Sequence, residues 1–338
     1  MSGSKPHSRG PKGHDAMTHD AVTHDAVTEA TPAAIERAGA ALRAGDLVGL
    51  PTETVYGLAA DATNPDAIAR VYEAKGRPRF NPLIVHVADL DGARALGRFD
   101  ETALELARAF WPGPLTLVVS RAPDCTVADL ATAGLDTIAL RVPGHAVARA
   151  VIAAAERPLA APSANLSGRI SPTTAEHVGE SLGLHVALVL DGGACAVGLE
   201  STVVAVTPHG AALLRPGVIT RSEIEAVAGP LASLETDAEK PASPGLLLRH
   251  YAPRTPLRLD AAAADRGDAV LAFGPRPLSG VAVLNLSETG DMREAAANLF
   301  AHLRALDQAG AARIAVMPIP REGLGEAIND RLTRAAAS

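Results

Sequence analysis

Cations, hydroxyls and one histidine recur at the ends of apolar runs in this chain, a combination that suits an anionic small molecule. Lys75-Gly76-Arg77-Pro78 closes a helical pattern. Gly76 supplies a helix stop, and Arg77, standing before proline, is biased toward extended backbone. Lys75 and Arg77 can then enter a common space and meet a polyphosphate or a carboxylate. The alternative is that Lys75 only complements a helix C-terminus.

Thr137–Val142 alternates, so Thr137, Ala139 and Arg141 share one strand face, with Ile138, Leu140 and Val142 on the other. The Thr137–Arg141 face is a recognition surface if it lines a cleft, and a solvated charge if it meets water. His86 lies inside the apolar run Leu83–Val87. A structural histidine is the ordinary occupant of such a place, although imidazole also bonds carboxylates and hydroxyls. Ala160–Asn165 combines small side chains with turn formers, which lets a ligand approach the backbone around Ala161 and Ser163. Ser171 and Pro172 read as N-cap and first position of a helix over Thr173–Ser181, a start that also offers N–H groups to a phosphate. Gly198–Thr202 and Leu213–Gly217 bring Ser201 and Arg215 to further strand ends. Ligands of open α/β sheets gather at strand ends, although each group alone is ordinary turn chemistry.

The elements that must position these groups follow from periodicity. Helices are expected over 32–43, 66–74, 101–110, 146–155 and 173–181, and strands over 47–50, 83–87, 115–119, 137–142, 187–190, 201–206 and 211–214. Their irregular alternation predicts an α/β domain with a twisted mixed sheet and flanking helices. Residues 231–256 are proline-rich and weakly periodic and read as a linker. Strands at 269–273, 281–285 and 314–319 and helices at 293–308 and 325–334 predict a small second α/β domain. The expected division is a disordered tail over 1–30, a catalytic domain over 31–230, the linker, and a C-terminal domain over 257–338. The tail repeats His-Asp-Ala-x-Thr from His14, His19 and His24, a period that suits neither a helix nor a strand face.

Composition narrows the function. A net charge of -7 argues against a surface devoted to gripping phosphate backbones, so useful positive charge must be local. Two cysteines, Cys125 and Cys195, make neither a metal cluster nor a disulfide framework, and no apolar stretch reaches membrane-spanning length. A cytoplasmic protein is expected. Walker-type and Gly-x-Gly-x-x-Gly loops are absent, as are structural-zinc spacings and a Gly-x-Ser-x-Gly elbow. From the residues alone the reading ends at an α/β protein with a basic, hydroxyl-lined anion pocket.

An ordered series of motifs carries the reading further. Pro51–Leu58 (PTETVYGL) is followed by Lys75-Gly76-Arg77-Pro78, Asn81–His86, Trp111–Thr116, Ala161–Asn165, Ser171-Pro172-Thr173, Glu200-Ser201-Thr202 and Leu214–Gly217. This series closely resembles the YrdC-like threonylcarbamoyl-AMP synthases. Each motif is weak alone; eight in one order are specific. Ser243-Pro244-Gly245, Arg249–Pro253, Asn298–Phe300 and Arg321–Gly325 resemble the linker and C-terminal domain of the family's longer form, which is Rossmann-like. The Leu246–Leu248 stretch departs from the more polar or aromatic linker frequent in the family.

The resemblance implies a YrdC-like fold and the condensation of L-threonine, bicarbonate and ATP to threonylcarbamoyl-AMP and pyrophosphate, for threonylcarbamoyl adenosine in tRNA. It implies that threonine is held by Thr54, His86, Arg141, the backbone near Ala161, and Ser201. It implies that ATP is held by Arg77, Asn81, Thr137, Ser163, Ser171, Arg215 and Tyr251, with Lys75 and Arg77 as catalytic groups at the phosphates. Mg2+ is expected to accompany ATP, with no metal site of the protein's own. A separate transferase would receive the product, and direct tRNA binding is not required. The rival readings are an RNA-binding module using a concave basic surface, and a carbamoyl transferase using carbamoyl phosphate.

Overall fold

The computed structural model describes residues 26–232 and 250–337. The His14–His24 repeats and the Ser243-Pro244-Gly245 part of the expected linker lie outside the described residues. In the first domain, β1 (Val27–Glu29), α1 (Pro32–Arg43), β2 (Val48–Leu50), β3 (Gly57–Asp61), α2 (Pro65–Lys75) and β4 (Ile84–His86) come first. Then follow α3 (Leu90–Leu96), α4 (Glu101–Phe110), β5 (Leu115–Ser120), β6 (Thr137–Arg141), α5 (Ala146–Ala155) and β7 (Leu159–Ala160). The domain ends with α6 (Ala175–Leu182), β8 (Leu188–Asp191), β9 (Thr202–Thr207), β10 (Gly210–Arg215) and α7 (Arg221–Ala228).

The ten strands form one mixed sheet in the order β1-β8-β2-β3-β7-β4-β6-β5-β9-β10. Helix ends are set by local chemistry. Thr31 caps α1 ahead of Pro32, and Asn64 caps α2 ahead of Pro65. Gly76 ends α2 in the left-handed region at φ 57. On one face of the sheet α1 and α5 bury Ala38, Leu42, Val151 and Ile152. Gly39 allows their close approach, since a Cβ there would lie 2.7 Å from the Ala154 carbonyl carbon. The main core, on the α2 and α4 side, includes Leu58, Ile68, Val71, Leu106, Leu117 and Leu140.

The second domain contains β11 (Leu257–Arg258), β12 (Ala269–Ala272), β13 (Val283–Asn285), α8 (Met292–Asp307), β14 (Ile314–Val316) and α9 (Leu324–Ala336). Its four strands are all parallel, in the order β11-β14-β12-β13. Leu271, Leu299, Phe300, Ile314 and Ile328 form its core, which also takes in Val55, Ile170 and Leu199 of the first domain. The two domains therefore share apolar packing. Among the described residues no helix is long and apolar enough to cross a membrane.

Three expectations need correction. Val27–Glu29 is not tail: it is an edge strand in register with Val189–Asp191, too short to show a period. Ser171 is not a helix cap; α6 begins after Thr174, whose hydroxyl accepts from the His177 N–H at 3.4 Å. The serine has a different partner, described below. The strand Gly57–Asp61 was not anticipated because every residue in it is buried, which removes the alternation that marks a one-faced strand.

Gly198 fixes how closely the domains dock. Its φ is 72, and a Cβ there would lie 2.5 Å from the Ala297 Cα on α8. Gly198→Ala combines left-handed strain with a backbone clash and is expected to lower stability by about 2–4 kcal/mol. Urea unfolding monitored through Trp111 and through far-UV dichroism measures this, with an unchanged midpoint as the contrary result.

Candidate active site

The functional groups meet at the edges of β3, β4, β6, β9 and β10, around a cavity of about 50 Å³. Parallel pairing sets His86 of β4 beside Arg141 of β6. Both side chains point into the cavity with Thr54, Arg77, Ala161, Ser163, Ser201, Arg215 and Tyr251. Nine of the thirteen residues expected at the site thus line one space.

Arg141 is anchored on three sides. Its Nε donates to the Gly113 carbonyl at 3.2 Å, Nη1 to Thr54 Oγ1 at 2.9 Å and Nη2 to Glu53 Oε1 at 2.6 Å. A guanidinium carries five N–H donors, so two remain for an incoming carboxylate. Burial pushes the Glu53 carboxyl upward, but the charge and hydrogen bond of Arg141 outweigh it and hold Glu53 below the ordinary carboxylate range. Glu53 Oε2 is buried with no partner among the described residues. Thr52 Oγ1 and Thr54 Oγ1 are 2.9 Å apart, and Thr52 also donates to the Val55 carbonyl at 2.6 Å, which stiffens the turn after β2.

The opposite wall is made by Arg215 and Arg77. Arg215 Nε and Nη2 both donate to the Ser201 carbonyl, at 3.1 and 2.9 Å, and Nη2 also reaches Ser201 Oγ at 3.2 Å. That hydroxyl lies 2.7 Å from Thr116 Oγ1. Arg77 Nε and Nη2 donate to the Asn81 and Pro82 carbonyls at 3.2 and 2.9 Å. Burial, and to a smaller extent Arg215, pull Arg77 down to about 10, still charged at neutral pH.

Lys75 stands behind this wall. Its Nζ donates to the Ser163 and Asn165 carbonyls, each at 2.5 Å, tying the end of α2 to the Ala161–Asn165 turn. Burial, with help from Arg77, depresses its pKa well below the usual lysine range. Lys75 thus combines the helix-end position with a structural bond to the site.

Asn81 is fully buried, and neither its amide nitrogen nor its amide oxygen has a partner among the described residues. Such orphaned groups are costly unless a ligand satisfies them. Thr137 is different. It pairs with Ser120 at the far end of β6 and does not line the cavity, four residues from Arg141 and about 13 Å away at strand spacing. Ser171 reaches the site indirectly: its Oγ donates to Glu200 Oε1 at 2.5 Å.

Tyr251 closes the cavity from the second domain's side. Its backbone is left-handed at φ 64, and its ring stacks on Phe300 at 5.4 Å and meets His250 edge-on at 4.0 Å. The Tyr251 hydroxyl has no partner among the described residues. Glu53, Glu200 and His250 were present in recognised motifs but carried no role from sequence. Arg331, which meets Glu200, had no local signal at all.

His86 is almost wholly buried, and its Nδ1 lacks a partner among the described residues. Burial first, then the charge of Arg141, push it down to about 3, so it is a neutral hydrogen-bonding group at physiological pH. The sign of the linkage follows. Its folded pKa lies below the unfolded value of about 6.5, so acid favours the unfolded chain, and stability falls as pH drops from about 6.5 toward 3. From pH 7 to pH 5 the His86 share is about 2 kcal/mol. His86→Asn is expected to flatten the wild-type loss of stability between those pH values by that amount, read from urea midpoints. An identical slope in both proteins is the contrary result.

Comparison with known proteins gives this geometry a family. Residues 40–217 match the family model described as "Telomere recombination", and residues 219–337 match that of the threonylcarbamoyl-AMP synthase C-terminal domain. A threonylcarbamoyl-AMP synthase of Bacillus subtilis is 42% identical, over 89% of this chain and 92% of its own. One from Pyrococcus abyssi is 39% identical, over 89% and 94%. The crystal structure of P. abyssi Sua5 complexed with L-threonine superposes with a TM-score of 0.85 at 37% identity, covering 92% of this chain and 96% of that one. With both domains matched in order and the cavity at their junction, the chain belongs to the threonylcarbamoyl-AMP synthase family.

Proposed function

We propose that this enzyme condenses L-threonine, bicarbonate and ATP into threonylcarbamoyl-AMP and pyrophosphate, supplying the activated intermediate for threonylcarbamoyl adenosine in tRNA. The observation that carries the reading is the convergence of Arg77, Arg141 and Arg215, all buried, on one hydroxyl-lined cavity. Buried cations converging on one cavity fit anionic ligands and give an RNA backbone nothing to track. The RNA-binding alternative is therefore not favoured.

Arg141, set by Glu53 and Thr54, takes the threonine carboxylate with its two remaining donors. Neutral His86, Ser201 and the backbone at Ala161 meet the rest of the amino acid. Arg77, Arg215, Asn81, Ser163 and Tyr251 hold the nucleotide, with Lys75 near the phosphates and Ser171 acting through Glu200. Thr137 is assigned to the outer end of the nucleotide. Mg2+ arrives on the triphosphate as part of the substrate; the described residues hold no group of three or more metal-ligating side chains.

The reaction has two steps. The threonine amine attacks carbon dioxide released from bicarbonate, losing a proton to give a carbamate, and bicarbonate's remaining oxygen leaves as water. A carbamate oxygen then attacks the α-phosphorus, and pyrophosphate carries away the bonding pair. Two anions must approach for that attack. Arg77, Arg141, Arg215 and Lys75 offset their repulsion from fixed positions in a dry site, where such charges act most strongly. Holding the partners in line supplies further acceleration. The product then passes to a separate transferase.

Pyrophosphate release with each substrate omitted in turn is the direct assay. Release that requires threonine, bicarbonate and ATP together is expected, and release that ignores threonine overturns the reading. Arg141→Ala is expected to raise the threonine KM by about a hundredfold, the cost of a lost charge-assisted pair. A threonine KM unchanged in that variant removes Arg141 from its role.

A further inference from the structure

Glu200 is the only carboxylate among the described residues that line the cavity, and it stands beside Arg77, Arg215 and Ser201, where a triphosphate is proposed to lie. A bare carboxylate there would repel the nucleotide. Its partner comes from the other domain. Arg331, on α9, is completely buried, and its Nε donates to Glu200 Oε2 at 3.0 Å. Arg331 Nη1 donates to the Pro216 carbonyl at 2.8 Å and to Asp330 Oδ2 at 2.8 Å, and the guanidinium lies 5.5 Å from the centre of the Tyr251 ring. Glu200 in turn holds Ser171 through its other oxygen.

We infer that Arg331 is a positioning residue for the nucleotide: it neutralises Glu200, fixes it against Ser171, and supports Tyr251, so that the C-terminal domain completes the ATP half of the site. This rests on the cavity being the ATP site proposed above. Arg331 Nη2 also reaches the Glu200 carbonyl at 3.5 Å, so one side chain touches the first domain, its linker and its own helix. Among the described residues, Arg331 has no hydrogen bond or ion pair with Thr54, His86 or Arg141. Its effect is therefore expected to fall mainly on one substrate.

The test is steady-state pyrophosphate release by the full chain, with ATP titrated at saturating threonine and bicarbonate, and threonine titrated at saturating ATP. Arg331→Met leaves the Glu200 charge uncompensated. It is expected to raise the ATP KM by about tenfold or more, with the threonine KM within about twofold of wild type. Adding Glu200→Gln removes that charge, and the double variant is expected to regain most of the ATP affinity. A purely structural arginine instead predicts that R331M disturbs both halves of the cavity and raises both KM values together. Removing one partner of a buried pair can prevent folding, so R331K provides a second arm. It keeps the charge but not the guanidinium fork, so its ATP KM is expected to lie between those of wild type and R331M, again with the threonine KM near wild type. An ATP KM unchanged in R331M, a double variant as weak as R331M, or equal rises in both KM values overturns the inference. No ATP-dependent pyrophosphate release by wild type would instead overturn the function on which it rests.

Discussion

The burial of cations among backbone carbonyls governs this structure. Arg77, Arg215 and Lys75 are all removed from water, and each donates to backbone carbonyls, Arg215 also to a serine hydroxyl. Carbonyl dipoles make burial tolerable but leave the charge in place. The surrounding loops are consequently fixed by the cations they serve. The 81–82 turn is tied to Arg77, the 163–165 turn to Lys75 and the start of β9 to Arg215. Preorganisation is thereby built into the fold, because the donors cannot relax into water before substrate arrives.

Arg141 follows a different rule, and the difference matches its proposed ligand. It has a true counter-ion in Glu53, with the pair almost entirely enclosed. A permanent partner lowers the residual field at that end of the cavity and fixes the plane of the guanidinium, which favours two-point recognition of a single carboxylate.

Sequence revealed the groups and most of the elements, because both are local. The Lys75–Pro78 turn, the alternation at Thr137–Val142 and the helix 146–155 depend on neighbours in the chain, and the structure has each where the pattern placed it. What stayed hidden depends on distance. The face shared by Thr137 and Arg141 is real, but only the sheet order decides that its Arg141 end meets β4 and the cavity. Ser171 carries a good capping signature, yet Glu200, far along the chain, provides a charged acceptor. A charged acceptor outweighs a neutral cap, so tertiary chemistry displaced the helix start to Thr174. The family resemblance supplied roles for residues such as Asn81 that local pattern leaves blank; its amide is buried without a partner among the described residues.

The contact between domains shows why two folding units make one site. A first domain acting alone would leave Val55, Ile170 and Leu199 uncovered and Glu200 without its arginine. Apolar cover alone would permit the second domain to slide, since hydrophobic contact is non-directional. Gly198 against α8 sets the closeness of approach, and Arg331 sets the register through hydrogen bonds to Glu200 and the Pro216 carbonyl. Tyr251, stacked on Phe300 of α8 and facing the cavity, is positioned by that same register. Docking of the C-terminal domain and shaping of the proposed nucleotide end are consequently a single event, and a displacement of α9 is felt first by Glu200.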